Sequence, residues 1–191
     1  MFAELHGKST VILIVDDHAA NIMVLREAVR DLGDVYFATS GPAALQLAQQ
    51  CMPDVVLLDI EMQGMDGYEV CAKLKADPLL KEAAVIFVTS HTDVEFELQA
   101  LAAGAVDFLH KPLNMPVARA RIRTQVQLRT ETRQLADARR DLEDLLQHLP
   151  AFVAFWDGQF NNLFCNDLSG SWFGTPARAM LGKPMVGIVG Q

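Results

Sequence analysis

Five short apolar runs, separated by stretches with helical spacing, constrain this chain more than any other feature. The runs are Val11–Val15, Val35–Ala38, Val55–Leu58, Val85–Val88 and Val106–Leu109. The first, third and fourth are rich in β-branched residues, and the second is weaker. Each is short enough to be a strand buried on both faces. Between them lie apolar stripes at helical spacing: Ile22, Leu25, Ala28, Val29 and Leu32; Ala44, Leu45, Leu47 and Ala48; Tyr68, Cys71, Ala72 and Leu74; and Phe96, Ala100 and Ala103. The second stripe opens at Gly41-Pro42 and the fourth stops at Gly104, the residue types expected at helix starts and ends. Strand alternating with helix predicts an α/β fold, a doubly wound five-stranded parallel sheet with helices on both faces. In such sheets ligands bind beyond the carboxyl ends of the strands.

What stands at those ends is chemically coherent. Asp16 and Asp17 follow the first run, Asp59 the third, Thr89 and Ser90 the fourth, and Lys111-Pro112 the fifth. Singly, each has a plain structural use. A DD pair or a Thr-Ser pair caps helices and turns, and a lone Asp is a common loop residue. Together they converge on one edge of the sheet. Three crowded carboxylates repel one another unless a cation neutralises them. Hard oxygen ligands suit Mg2+, which takes one or two carboxylates and keeps several waters. A metal so placed favours an incoming phosphoryl group, and an aspartate carboxylate can then act as nucleophile and form an acyl phosphate. Lys111 supplies an ammonium for the product and Thr89 a hydroxyl donor.

Composition agrees with this reading and removes others. With 24 acidic and 16 basic residues the net charge is −8, which argues against a surface that grips nucleic acid or anionic lipid. Cys51, Cys71 and Cys165 are scattered with no CxxC pair, so neither a disulfide frame nor a zinc site is expected. The stretch Met1–Thr10 carries Glu4 and Lys8 and lacks the apolar core of a signal peptide. No apolar run approaches a membrane span. A cytoplasmic location is the expectation.

These residues resemble the receiver domains of two-component response regulators. VILIVDD at Val11–Asp17 is similar to the family's opening, and DVVLLDIEMQGMDG at Asp54–Gly67 to its phosphorylation loop. VTS at Val88–Ser90 and AGAVDFLHKPL at Ala103–Leu113 are similar to its last two blocks. The resemblance runs from about Thr10 to Met115 and implies a flavodoxin-like receiver. It implies that Asp59 is the phosphoacceptor, served by a histidine kinase or phosphotransfer protein. Asp17 and Asp59 would ligate Mg2+ directly, Asp16 through water, and the backbone carbonyl of Glu61 would complete the site. Thr89 would be the switch hydroxyl, Phe108 the switch aromatic, Lys111 the phosphoryl partner, and Pro112 would follow a cis peptide bond. Glu61 and His91 occupy positions that flank the path of hydrolytic water. A phosphatase of the haloacid-dehalogenase type would want a DxD after the first strand, and Asp16-Asp17-His18-Ala19 does not supply it.

The texture changes after Pro112. Leu128, Leu135, Leu142 and Leu149 recur every seventh residue on a segment free of Gly. A seven-residue repeat suits a supercoiled dimer seam. The second seam position holds either Glu131, Ala138 and Leu145 or Thr132, Arg139 and Leu146, so each register contains a charge. A helix folded back on its own domain is the alternative. Pro150 ends the segment. Beyond it Asp157-Gly158 reads as a tight turn between two strands, and Leu149–Gly174 resembles the start of a PAS sensor domain. The expected organisation is a receiver at 1–116, a helical or coiled-coil linker at 117–149 and the first part of a PAS domain at 150–191, cut from a longer protein. The resemblance, with the heptad spacing, implies a homodimer through the 92–125 face and the 117–149 helix, and the acidic charge and short apolar runs imply no direct binding of nucleic acid and no membrane contact. ARARIRTQVQL at Ala118–Leu128 is similar to the linker of receiver–cyclase proteins, so a GGDEF diguanylate cyclase is the expected output. A hybrid histidine kinase and a non-phosphorylated scaffold are the alternatives.

Overall fold

The computed structural model of the protein describes residues 9–90, 99, 102–170, 174–185 and 187. The chain divides into two compact units, residues 1–132 and 133–191.

The first unit is built on a parallel five-stranded sheet. Its strands are β1 (Val11–Val15), β2 (Asp34–Ala38), β3 (Val55–Asp59), β4 (Ala84–Thr89) and β5 (Asp107–His110), in the spatial order β2-β1-β3-β4-β5. Alternate side chains of a strand point to opposite faces, and both faces here are covered. Leu13, Val15, Val56, Leu58 and Phe87 pack against α2 (Gly41–Cys51) and α3 (Gly67–Ala76) through Ala44, Ala48, Val70 and Leu74. Ile12, Ile14, Leu57, Ile86 and Val88 pack against α1 (Ala19–Val29) and the long helix α4 (Met115–His148) through Leu25, Val29, Ala118 and Ile122. Every residue of β1, β3 and β4 is buried. This explains why those strands carry unbroken apolar runs, whereas the edge strand β2 does not. Its Asp34, Tyr36 and Phe37 are exposed.

The runs and the strands differ by small shifts. β2 begins one residue early and β5 lies one residue later. β3 and β4 extend to include Asp59 and Thr89, so these two polar residues are held by sheet hydrogen bonds rather than by a loop. The peptide bond between Lys111 and Pro112 is cis, as the resemblance implies. Of the fourth apolar stripe, Phe96 and Ala100 lie outside the described residues, as do His91 and part of the 92–125 face. Ala103 is in the turn that ends at Gly104, whose φ of +92° is one a residue with a Cβ rarely adopts.

Helix α4 begins at Met115, with Pro116 in its first turn where a missing N–H costs nothing. In the first unit its inner face buries Ala118, Ile122 and Val126. Among the described residues no helix is long and apolar enough to cross a membrane. In the second unit β6 (Ala154–Trp156) and β7 (Asn162–Cys165) form an antiparallel hairpin, followed by the short helix α5 (Ala177–Met180). Asp157 does start the turn: its Oδ1 accepts from the N–H groups of Gln159 and Asn161, both at 2.8 Å. The left-handed residue is Phe160 at φ 61°, not Gly158. The turn is therefore longer than the two-residue type that an Asp-Gly pair signals. Leu145 is 67% exposed while its neighbour Leu146 is half-buried within this unit, and Asn166 Nδ2 donates to the Leu146 carbonyl at 3.1 Å.

Candidate functional site

The sheet order reverses direction between β1 and β3, which opens a crevice at their carboxyl ends. Asp16 and Asp17 emerge from β1 directly into it, and Asp59 is the last residue of β3. Asp16 is wholly buried and Asp59 is 3% exposed. Two buried carboxylates need a counter-charge, and it comes from the far side of the crevice. Lys111 Nζ, one residue past β5, donates to Asp16 Oδ2 at 3.0 Å and to Asp59 Oδ2 at 2.8 Å. The Lys111 N–H donates to the Thr89 carbonyl at 2.7 Å, which anchors the start of that segment to the end of β4.

One ammonium does not balance the set. Burial pushes the Asp59 carboxyl above its ordinary value. The Lys111 hydrogen bond pulls it back, and the charge on Asp16 pushes it up again, so the net direction is upward. For Lys111, burial works to lower the ammonium, but its bonds to Asp59 and Asp16 outweigh this and hold it above the usual lysine value. Asp17 differs. Burial disfavours its charge, yet the Gln63 N–H at 3.1 Å and the His18 ring at 2.7 Å hold its carboxyl below the ordinary range. The site thus keeps Asp17 ionised while the Asp59 charge is left under-compensated.

The donor set fits a hard divalent cation. Asp16, Asp17 and His18 each offer a ligand atom within 4.8 Å of the others. The oxygens are the relevant part of that group. His18 is largely exposed and its Nδ1 already bonds Asp17 Oδ1, and Mg2+ prefers oxygen to imidazole. Two buried carboxylates, a third at the rim and a single lysine leave a deficit of positive charge that such an ion would fill.

The structure brings Asp16, Asp59 and Lys111 into direct contact, and Asp17 joins them through the Asp16–Asp17 turn. Thr89 is 4% exposed at the end of β4, beside β3 through the pairing of Asp59 with Val88. The Glu61 N–H donates to the Asp59 carboxylate. Phe108 lies on β5, half-buried. His110 meets its ring edge-on at 5.2 Å and the Arg121 guanidinium lies 5.6 Å from its centroid.

Three contributors escaped the sequence reading. Asn21 Nδ2 donates to Asp16 Oδ1 at 2.9 Å. Its signal was a lone polar residue in the first turn of a helix that opens beside the acidic pair. Gly67 lets α3 start against the backbone at the end of β3, for a Cβ there would stand 2.3 Å from the Asp59 carbonyl oxygen. Asp66, another acid between β3 and α3, is an N-cap. It accepts from Glu69 N–H at 2.8 Å, and the Glu69 side chain accepts from Asp66 N–H in return.

Comparison with known proteins agrees with this geometry. The response regulator receiver domain family matches residues 12–123, more than half of the chain. Response regulator PleD of Caulobacter vibrioides is 40% identical over 117 residues, covering 61% of this chain and 26% of PleD. A Vibrio cholerae protein named as a probable cyclic di-GMP phosphodiesterase is 38% identical over 116 residues, with the same two coverages of 61% and 26%. The chain therefore spans about a quarter of the length of these relatives. Among solved structures, the BeF3-activated DrrB receiver domain superposes with a TM-score of 0.56 at 30% identity, covering 62% of this chain and 97% of that one. By the match over residues 12–123 and the acidic crevice that those residues build, the chain belongs to the response regulator receiver domain family.

Proposed function

We propose that Asp59 accepts a phosphoryl group from a histidine kinase or phosphotransfer protein, in a Mg2+-dependent reaction, and that this switches a downstream output domain. The observation that carries the reading is the single Lys111 ammonium held between two buried carboxylates at 3.0 and 2.8 Å. Receiver domains typically bind Mg2+ in this acidic pocket. Asp17, Asp59 and the Glu61 carbonyl would hold the ion directly and Asp16 through water. When bound, it neutralises the phosphoryl charge and holds the group in line.

The chain's own residues do the rest. An Asp59 carboxylate oxygen attacks phosphorus as the P–N bond of the donor phosphohistidine breaks, and the imidazole leaves with a proton from solvent. The product carries the negative charge on the phosphoryl oxygens. Lys111 transfers a hydrogen bond from Asp59 to one of these oxygens, and the Thr89 hydroxyl donates to another. Thr89 follows the phosphoryl group, and Phe108 turns with it on the adjacent strand. That rearrangement favours homodimerisation through the 92–125 face and pairing of the 117–149 helix. Exposed Leu135, Leu142 and Leu145 offer an apolar stripe for the pairing. Moving such a switch from mostly off to mostly on requires about 5 kcal/mol.

The domain reading is a receiver at 1–116, a helical linker at 117–149 and the beginning of a PAS domain at 150–191. The output we favour is a GGDEF diguanylate cyclase. The Vibrio cholerae relative, by its name a cyclic di-GMP enzyme, supports a link to that second messenger. The test is mass spectrometry and sedimentation with Mg2+ and acetyl phosphate, with Asp59→Asn as control. An adduct of about 80 Da that is absent from the variant, with a shift toward dimer, supports the whole reading. An adduct without the shift removes the dimer mechanism. No adduct makes the chain a scaffold.

A further inference from the structure

Asp16 is the most enclosed charge in the crevice, and its two oxygens are held in different ways. Oδ2 depends on Lys111, an ammonium it shares with Asp59. Oδ1 is held by two donors from helix α1 and its N-cap, the His18 N–H at 2.8 Å and the Asn21 Nδ2 at 2.9 Å. The His18 N–H is backbone and cannot be tuned by sequence. Asn21 is the one side-chain donor to Asp16 besides Lys111 among the described residues.

The consequence follows from the order of events. When a phosphoryl group arrives on Asp59, the Lys111 ammonium is drawn to it and its bond to Asp16 weakens. A wholly buried carboxylate that loses a donor turns toward the donors that remain. It then stops orienting a cation's water. A donor unaffected by the phosphoryl group is required to prevent this, and Asn21 meets the condition. It approaches from α1, on the opposite oxygen, and Ile22 and Leu25 of the same helix are buried in the core. An acidic residue here would repel Asp16, and an aliphatic one would leave Oδ1 with the backbone bond alone.

We infer that Asn21 is a positioning residue that fixes the Asp16 carboxylate for the divalent cation and leaves Lys111 able to move to the phosphoryl group. The inference rests on the phosphoacceptor reading above. Partners one shell out from a metal commonly set its affinity by 10- to 100-fold. Asn21 acts through Asp16, and therefore the effect falls on cation binding rather than on the transfer step.

The test is calorimetric titration with MgCl2 of the full chain as wild type, Asn21→Leu, Asp16→Asn and the double variant, alongside acetyl phosphate labelling across Mg2+ concentrations. The expected result is a roughly 10-fold weaker Mg2+ Kd in Asn21→Leu. Its labelling rate at saturating Mg2+ stays within about threefold of wild type. In the Asp16→Asn background the same change has no further effect on Kd. A general packing defect would instead lower the saturated rate and add to the Asp16→Asn effect. If Asn21→Leu does not fold, Asn21→Ala takes its place. An unchanged Kd in a folded Asn21 variant, or full additivity in the double variant, overturns the inference and leaves the phosphoacceptor reading intact. A wild-type chain that binds no Mg2+ overturns both.

Discussion

Replacing Asp59 with Asn is expected to make the metal-free protein more stable, although it removes one half of an ion pair. The reasoning weighs three effects. Both carboxylates reach the same ammonium, so their oxygens lie about 5 Å apart and their repulsion is roughly 3 kcal/mol at an effective dielectric near 20. Burial of the Asp59 charge costs several kcal/mol more. Against these stands the Lys111 bond at 2.8 Å. The direction of the Asp59 carboxyl, above its ordinary 3.8, shows which side prevails: folding disfavours the charged form. A neutral isostere still accepts from Lys111 and escapes both penalties. The expected gain is about 1 kcal/mol, the low end for relieving buried charge because Lys111 and Asp16 remain paired.

The pH dependence carries a matching sign. The folded state holds the Asp59 proton more tightly than the unfolded chain does. Wild-type stability therefore rises as pH falls through the window between the elevated folded value and 3.8, and this contribution is lost as pH climbs through that window. Asp17 runs the opposite way and acts below 3.8, where its lowered carboxyl finally protonates. The assay is urea unfolding followed by far-ultraviolet circular dichroism, in chelator and in Mg2+, from pH 8 down to the ordinary carboxylate value of 3.8. In chelator at pH 7.5 Asp59→Asn should unfold at higher urea, with the gap closing as pH falls through the elevated folded value toward 3.8. Saturating Mg2+ should favour the wild type by mass action and reverse the order. A variant that is equal to or weaker than wild type in chelator at pH 7.5 would refute the reasoning.

Three further outcomes are expected. Gly67→Ala should cost about 3 kcal/mol in the same urea assay, because its Cβ meets backbone atoms of Asp59 and Ile60 that have nowhere to move. Asn166→Ala should destabilise the second unit by about 2 kcal/mol, since the buried Asn166 serves the Leu146 and Ala151 carbonyls and the Val153 N–H. Tryptophan fluorescence reads this unit selectively, for Trp156 and Trp172 both belong to it. Leu142→Asp, on an exposed position, should leave monomer stability within about 0.5 kcal/mol yet abolish, in sedimentation, the dimer that we propose phosphorylation induces.

Most of the receiver scaffold was legible in the chain because its information is local. A strand covered on both faces must be apolar throughout, so β1, β3 and β4 appear as runs. A group that follows such a run directly can only stand at the strand's carboxyl end, which places Asp16, Asp17, Asp59 and Thr89, whereas Lys111 follows the more mixed β5. The turn at Asp157 was legible in part. Its side chain organises the loop, but the left-handed residue proved to be Phe160, because the loop's length is set by the β6–β7 pairing and not by the Asp-Gly pair.

What only tertiary structure decided involves atoms distant in sequence meeting in three dimensions. Nothing in the order of residues says that Lys111 splits its ammonium between Asp16 and Asp59, since 95 and 52 residues separate the partners. Nor does it say that Asn21 turns inward to Asp16, that Gly67 grazes the Asp59 carbonyl, or that of two adjacent leucines Leu146 is covered and Leu145 is not. Periodicity records which face of an element is buried. The distances that tune charge inside the crevice are decided only when the strands have assembled.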